Sequence, residues 1–165
     1  MLSLLLLAAC GGDAVSAPAP TPSPSVPPEA LRTQWVERSD VELDAALKAA
    51  CERASARDAL VLLEFSAEWC IDCKVVSRMK PTLARELANW EWVTANVGRF
   101  DRHAALREAF AVGGIVTWVA LEPSDCSAPV PAWPRKRAGL LEPASGSGPK
   151  TPRDLEAWLR EARGA

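Results

Sequence analysis

The chain has 165 residues, 24% of them charged, and a formal net charge of -2 from 19 basic and 21 acidic side chains. So even a balance leaves no electrostatic footprint for a polyanion, and no nucleic-acid partner is expected. With one histidine, His103, the zinc, haem and acid–base arrangements that need two imidazoles are excluded, and thiols or carboxylates must carry any chemistry.

Leu2 to Ala9 is an apolar stretch far shorter than the roughly 20 residues that a membrane-spanning helix needs. It reads as the hydrophobic part of an export signal covering residues 1–9. Its end, Leu7-Ala8-Ala9-Cys10-Gly11, resembles the bacterial lipoprotein box. The resemblance implies cleavage before Cys10, lipid on Cys10, and a domain facing the periplasm. By resemblance to the Gram-negative sorting pattern, Gly11 at the second mature position implies the outer membrane rather than the inner. Six prolines then fall between Ala17 and Pro28 among Ala, Ser and Thr, a composition that cannot bury apolar surface and favours extended backbone. Residues 10–34 are therefore expected to form a lipid-anchored linker, within which Gly11 to Pro28 has a reach on the order of 50 Å, and residues 35–165 a single domain.

Within that domain Ser39-Asp40-Val41-Glu42 is a capping box, and Leu43, Ala46, Leu47 and Ala50 recur at helical spacing, which predicts a helix over about 40–56. Ala59 to Phe65 is apolar except for Glu64, the pattern of a strand buried on both faces. A helix face of Val75, Val76 and Met79 follows Cys73 and kinks at Pro81. Trp92 to Val97 reads as a second strand, Arg102 to Ala111 as a helix stopped by Gly113-Gly114, and Ile115 to Leu121 as a third strand. Six prolines between Glu122 and Lys150 allow at best an edge strand there. Thr151-Pro152-Arg153-Asp154 opens a closing helix. The order predicts an α/β fold, a central mixed sheet flanked by helices.

The chemistry concentrates at Trp69-Cys70-Ile71-Asp72-Cys73-Lys74. A Cys-x-x-Cys that opens a helix after a buried strand sets its first sulfur at unpaired N–H groups and the positive helix end, which favours the thiolate of Cys70. Cys73, one turn on, is placed to attack a mixed disulfide formed on Cys70. Neither Cys51 nor Cys126 belongs to a second such pair, so no four-ligand zinc set is present in the sequence and no metal or other cofactor is expected. Cys51 reads as a small buried hydrophobe, although in an oxidising compartment it could pair with Cys126. His103, beside Asp101 and Arg102, reads as solvent-facing.

The string from Leu63 to Lys74 resembles the thioredoxin superfamily, most closely reductase-type domains similar to the C-terminal domain of the transmembrane thiol reductase DsbD. Ala95 to Arg102 and Gly114-Ile115-Val116-Thr117 extend the resemblance, which covers about residues 35–122. It implies a thioredoxin-like fold and a protein-disulfide oxidoreductase whose redox pair is Cys70 and Cys73. Glu64 stands where such proteins keep a buried carboxylate that moves the proton of the second cysteine. Unpaired, it would have a raised pKa, unless it points from the strand to solvent. Trp69 matches the tryptophan that shields the sulfur, or is simply a core aromatic. Trp69, Ile71, Asp72, Ile115 and Val116 are expected to bind the client, and Val116 replaces the usual cis-proline. The negative charge of Asp72 should raise the Cys70 pKa and make the disulfide less oxidising. The implied partners are disulfide-containing exported proteins, a membrane thiol-relay reductase and the membrane itself. An alternative is a binding or copper-delivery module with little turnover, in which His103 would have to join the two cysteines.

Overall fold

A computed structural model describes residues 31–146 and 148–164. The expected signal at 1–9, the lipid site Cys10 and the linker up to residue 30 lie outside the described residues. Four strands form one mixed sheet: β1 (Leu60–Ser66), β2 (Trp90–Asn96), β3 (Thr117–Leu121) and β4 (Arg135–Leu140), in the order β2-β1-β3-β4. β1 pairs parallel with β2 and antiparallel with β3, and β4 adds antiparallel to β3. Every residue of β1 after Leu60 is buried, which explains why its sequence is a nearly unbroken apolar run. β4 alternates between exposed and half-buried positions, as an edge strand following Pro134 should.

Helices pack on both faces. α1 (Asp40–Ser55) starts with the Ser39–Glu42 capping box and buries Leu43, Leu47, Ala50, Cys51 and Ala54. α2 (Ile71–Met79) passes at Pro81 into a 3₁₀ turn, Lys80–Leu83, and then into α3 (Ala84–Leu87), because proline cannot supply the N–H that would continue the ladder. α4 (Ala104–Ala109) is shorter than the periodicity suggests, since His103 at its N-cap takes a left-handed backbone, φ 54°. α5 (Pro152–Arg163) has a Thr151–Asp154 capping box and lays Leu155, Trp158 and Leu159 on the sheet.

The domain begins earlier than residue 35. Thr33 is buried, its N–H donates to Ser77 Oγ over 3.0 Å and its hydroxyl donates to Glu64, so residues assigned to the linker contribute to the core. Trp35 follows, its Nε1–H donating to Ser66 Oγ and its carbonyl accepting from Asn96. At the other end of the sheet a disulfide joins Cys51 of α1 to Cys126 in the segment after β3, with the Cα atoms 5.6 Å apart. Cys51 is thus both a buried residue and a covalent anchor for a proline-rich segment that has little ladder bonding of its own.

Candidate active site

β1 delivers the chain to the site. After Ser66 a short turn, closed by the Cys70 N–H donating to the Ala67 carbonyl, brings Cys70 to the N-cap of α2. Cys70 and Cys73 are joined in a disulfide, with Cα atoms 5.2 Å apart. Cys70 Sγ accepts the Cys73 N–H at 3.1 Å, taking the role that a serine or aspartate oxygen usually plays at a helix start. That donor and the positive helix end favour negative charge on Cys70. Of the two, Cys70 is the one with surface, 4% exposed against 0% for Cys73. Access and the helix-end donor therefore both fall to Cys70.

Opposite the disulfide lies the turn before β3. The Ile115–Val116 peptide is cis, and the Ile115 carbonyl oxygen is 3.8 Å from Cys70 Sγ. Val116 itself is fully buried and its carbonyl accepts from the Leu141 N–H, so its side chain does not offer a client contact as expected. Ile115 is almost as buried. The exposed apolar surface comes instead from Trp69, Ile71, Phe100 and Leu140. Trp69 is held by its Nε1–H donating to the Gly98 carbonyl and lies 6.1 Å, centroid to centroid, from Phe100. Leu140 packs beside Gly114, next to the cis turn. Phe100 and Leu140 were not legible as site residues, because one sits in a turn at φ 67° and the other on an edge strand far along the chain.

Asp72 also departs from expectation. It is buried, and rather than facing a client it accepts hydrogen bonds from the amides of Ala144 and Ser145 and from the Ser145 hydroxyl. Burial alone would raise its pKa. The Ser145 hydroxyl, the two amides and the nearby Lys150 charge outweigh that and hold it below the usual carboxylate range.

Glu64 is wholly buried but not unpaired, contrary to the expectation from sequence. Lys80 Nζ forms an ion pair with its Oε2, and Lys80 is itself only 1% exposed. Trp92 Nε1–H donates to the same oxygen at 2.8 Å, Thr33 Oγ1–H donates to Oε1 at 3.2 Å, and Lys80 donates to Thr33 Oγ1 at 2.5 Å. The ammonium also sits 3.4 Å over the Trp92 ring. Lys80 lies where α2 passes into the 3₁₀ turn, directly before Pro81. Neither cysteine is among the hydrogen-bond partners of Glu64 in the described residues.

Burial drives the Lys80 pKa down from 10.5 to about 8, against the attraction of Glu64, which pulls it back up. An unfolded lysine titrates near 10.4, so between about pH 8 and 10 the unfolded chain holds a proton that the folded one has lost. Stability from this group is therefore expected to rise with pH across that window. Denaturant midpoints between pH 7 and 10 check it, and the rise should vanish in Lys80→Met. Lys80, Thr33 and Trp92 also line a cavity of about 380 Å³.

His103 is buried rather than solvent-facing. Its Nδ1 is 2.6 Å from Asp40 Oδ1 at the start of α1, while Nε2 has no partner among the described residues. It therefore ties α4 to α1 and does not join Cys70 and Cys73. Among the described residues no cluster of three His, Cys, Asp or Glu side chains is arranged to hold a metal.

No protein-family model matches the sequence, and comparison with curated proteins finds no match. Solved structures do match. Thioredoxin O2 from Arabidopsis thaliana in its oxidized state aligns over 76% of this chain and 90% of its own, at 14% identity and a TM-score of 0.50. The fold is thioredoxin-like. A mutant thioredoxin from Halobacterium salinarum NRC-1 aligns over 76% of this chain and 86% of its own, with 20% identity and a TM-score of 0.47. A disulphide isomerase from Xylella fastidiosa Temecula1 aligns over 53% and 71%, with 25% identity and a TM-score of 0.48. In this thioredoxin-like chain the Cys70–Cys73 pair sits at the end of a central strand, beside the cis turn and a small apolar surface.

Proposed function

We propose that the protein is a thiol–disulfide oxidoreductase acting on disulfides of exported proteins, in the reducing direction, as a reductase-type domain of the kind found in DsbD. The observation that carries this reading is the Cys70–Cys73 disulfide at the N terminus of α2, with Cys70 Sγ bound by the Cys73 N–H and facing the Ile115 carbonyl. In the reduced enzyme the Cys70 thiolate attacks one sulfur of a client disulfide. The client S–S bond breaks, a Cys70–client disulfide forms and the other client sulfur leaves as thiolate. Cys73, having lost its proton, then attacks Cys70 Sγ; the enzyme disulfide forms and the second client sulfur departs. The client gains two electrons, the enzyme loses two, and the two enzyme thiol protons end on the client thiols. Glu64, with Lys80 as its charged partner, serves as acceptor for the Cys73 proton. A dithiol of a membrane thiol-relay reductase restores the enzyme.

The exposed Trp69, Ile71, Phe100 and Leu140 favour an apolar peptide segment over a small hydrophilic disulfide as client. The negative charge of Asp72 beside the pair favours a reducing potential. A second disulfide, Cys51–Cys126, suits an oxidising compartment, and together with the Cys10 box it supports a lipid-anchored protein facing the periplasm, held at the outer membrane. Copper delivery is disfavoured by the position of His103.

Insulin reduction driven by dithiothreitol tests the reading. The protein is expected to accelerate precipitation of the insulin B chain well above the reductant alone, and Cys70→Ser to bring the rate back to that baseline. Equal rates for the two proteins would remove the proposal.

A further inference from the structure

After β4, residues 141–146 cross the redox site. Leu141 is buried and its N–H donates to the Val116 carbonyl at 2.7 Å, attaching the segment to the turn that faces Cys70. Three residues on, the Ala144 N–H at 2.5 Å, the Ser145 N–H at 3.2 Å and the Ser145 hydroxyl at 2.5 Å all donate to the Asp72 carboxylate, on the first turn of α2. One short stretch thus holds both walls of the site. It is closed on itself by Lys150, whose Nζ donates to the carbonyls of Pro143, at 2.8 Å, Gly146 and Glu142.

Asp72 is the second residue of α2, with Cys70 as its N-cap. A carboxylate at that position is able to fold back on the first-turn N–H groups, the same donors that hold Cys70 Sγ. Here it is turned onto the segment instead, by hydrogen bonds that gain strength from its charge.

We propose that residues 141–146 are a brace joining the two walls of the redox site, and that Ser145, acting through Asp72, is a positioning residue for exchange at Cys70. The inference rests on the oxidoreductase reading above. With Asp72 held by the brace, the Cys73 N–H remains with Cys70 Sγ and the thiolate keeps its donor. A released Asp72 competes for that donor and brings its charge nearer the sulfur, which lowers the thiolate fraction at neutral pH.

The test uses the full chain carrying Cys73→Ala, so that Cys70 is the reacting thiol. Its rate with the aromatic disulfide 5,5′-dithiobis(2-nitrobenzoate) at pH 7 is measured together with the pH midpoint of thiolate absorbance. Ser145→Ala is expected to slow the reaction roughly threefold to tenfold and to move the midpoint upward in step. Ser145→Thr, which keeps the hydroxyl, should retain the parent rate. When Asp72→Asn is already present, Ser145→Ala should have no further effect. A brace that merely supports the fold would lower stability and leave the Cys70 titration where it is. An unchanged rate and midpoint in Ser145→Ala, or the same slowing in the Asp72→Asn background, overturns the proposal. A Cys70 that is inert in the Cys73→Ala parent as well overturns the oxidoreductase reading and the proposal with it.

Discussion

Lys80→Met is expected to lower stability by about 3–5 kcal/mol, because it leaves a wholly buried carboxylate without its paired donor. Glu64 is 0% exposed, on the central strand, and Lys80 supplies its only opposite charge among the described residues. Removing Lys80 leaves the buried Glu64 carboxylate with only the Trp92 Nε1–H and the Thr33 hydroxyl among its hydrogen-bond donors in the described residues. Denaturant unfolding of the oxidised protein measures the loss, read as a shift of midpoint at constant slope. Restoring neutrality should recover most of it. Glu64→Gln with Lys80→Met keeps an acceptor oxygen for the Trp92 Nε1–H and the Thr33 hydroxyl while removing both charges, and replacement of a complete buried pair is often close to neutral. If the pair also moves the Cys73 proton, this double variant will be stable yet slow in releasing its mixed disulfide. Stability and turnover thereby separate the structural role of the pair from its chemical one.

Removing the Cys51–Cys126 disulfide, with alanine at both positions, is expected to cost about 4 kcal/mol. The bridge spans a sequence separation of 75, and closing a loop of that size removes substantial entropy from the unfolded chain. A domain of this size has a total stability on the order of 5–15 kcal/mol, so the variant should unfold at a much lower denaturant concentration. Local consequences should concentrate after β3. There Val130 and Trp133 are buried, but the segment relies on the bridge and on a few turn bonds such as Trp133 Nε1–H to the Ala128 carbonyl. Because β3 runs antiparallel to β1, Cys126 lies past the end of the sheet opposite the redox pair. Insulin reduction per folded molecule should therefore be unchanged, a contrast that separates this disulfide from Cys70–Cys73.

The elements that were legible in the sequence are those whose reasons are local. The apolar run of β1, the Ser39–Glu42 and Thr151–Asp154 boxes, the kink at Pro81 and the cysteine pair opening α2 each follow from residues a few positions apart. What escaped depends on tertiary placement. Nothing local marks Lys80 as the partner of Glu64, which lies 16 positions away on β1. Thr33 lies just after a proline-rich stretch whose composition argues for a spacer, yet it closes the Glu64 network. His103 looks polar and exposed beside Asp101 and Arg102, and is buried by its link to Asp40, 63 positions away. The segment holding Ser145 is a proline-rich loop with no periodicity, so nothing local shows that it reaches Asp72.

These features assemble in one direction. The buried strand sets the helix start, the helix start holds the sulfur of Cys70, and the cis turn and the brace fix what stands opposite it. The site is consequently asymmetric: Cys70 keeps a small exposure and has a donor on its sulfur, while Cys73 is wholly buried.

The asymmetry is tested most directly by exposing reduced Cys73→Ala and Cys70→Ala to a disulfide-bonded peptide and locating any adduct by intact mass and peptide mapping. Cys73→Ala should accumulate a stable mixed disulfide on Cys70, while Cys70→Ala should form little or none on Cys73. Adduct formation on Cys73 at the rate seen for Cys70, or none on either, would contradict the account.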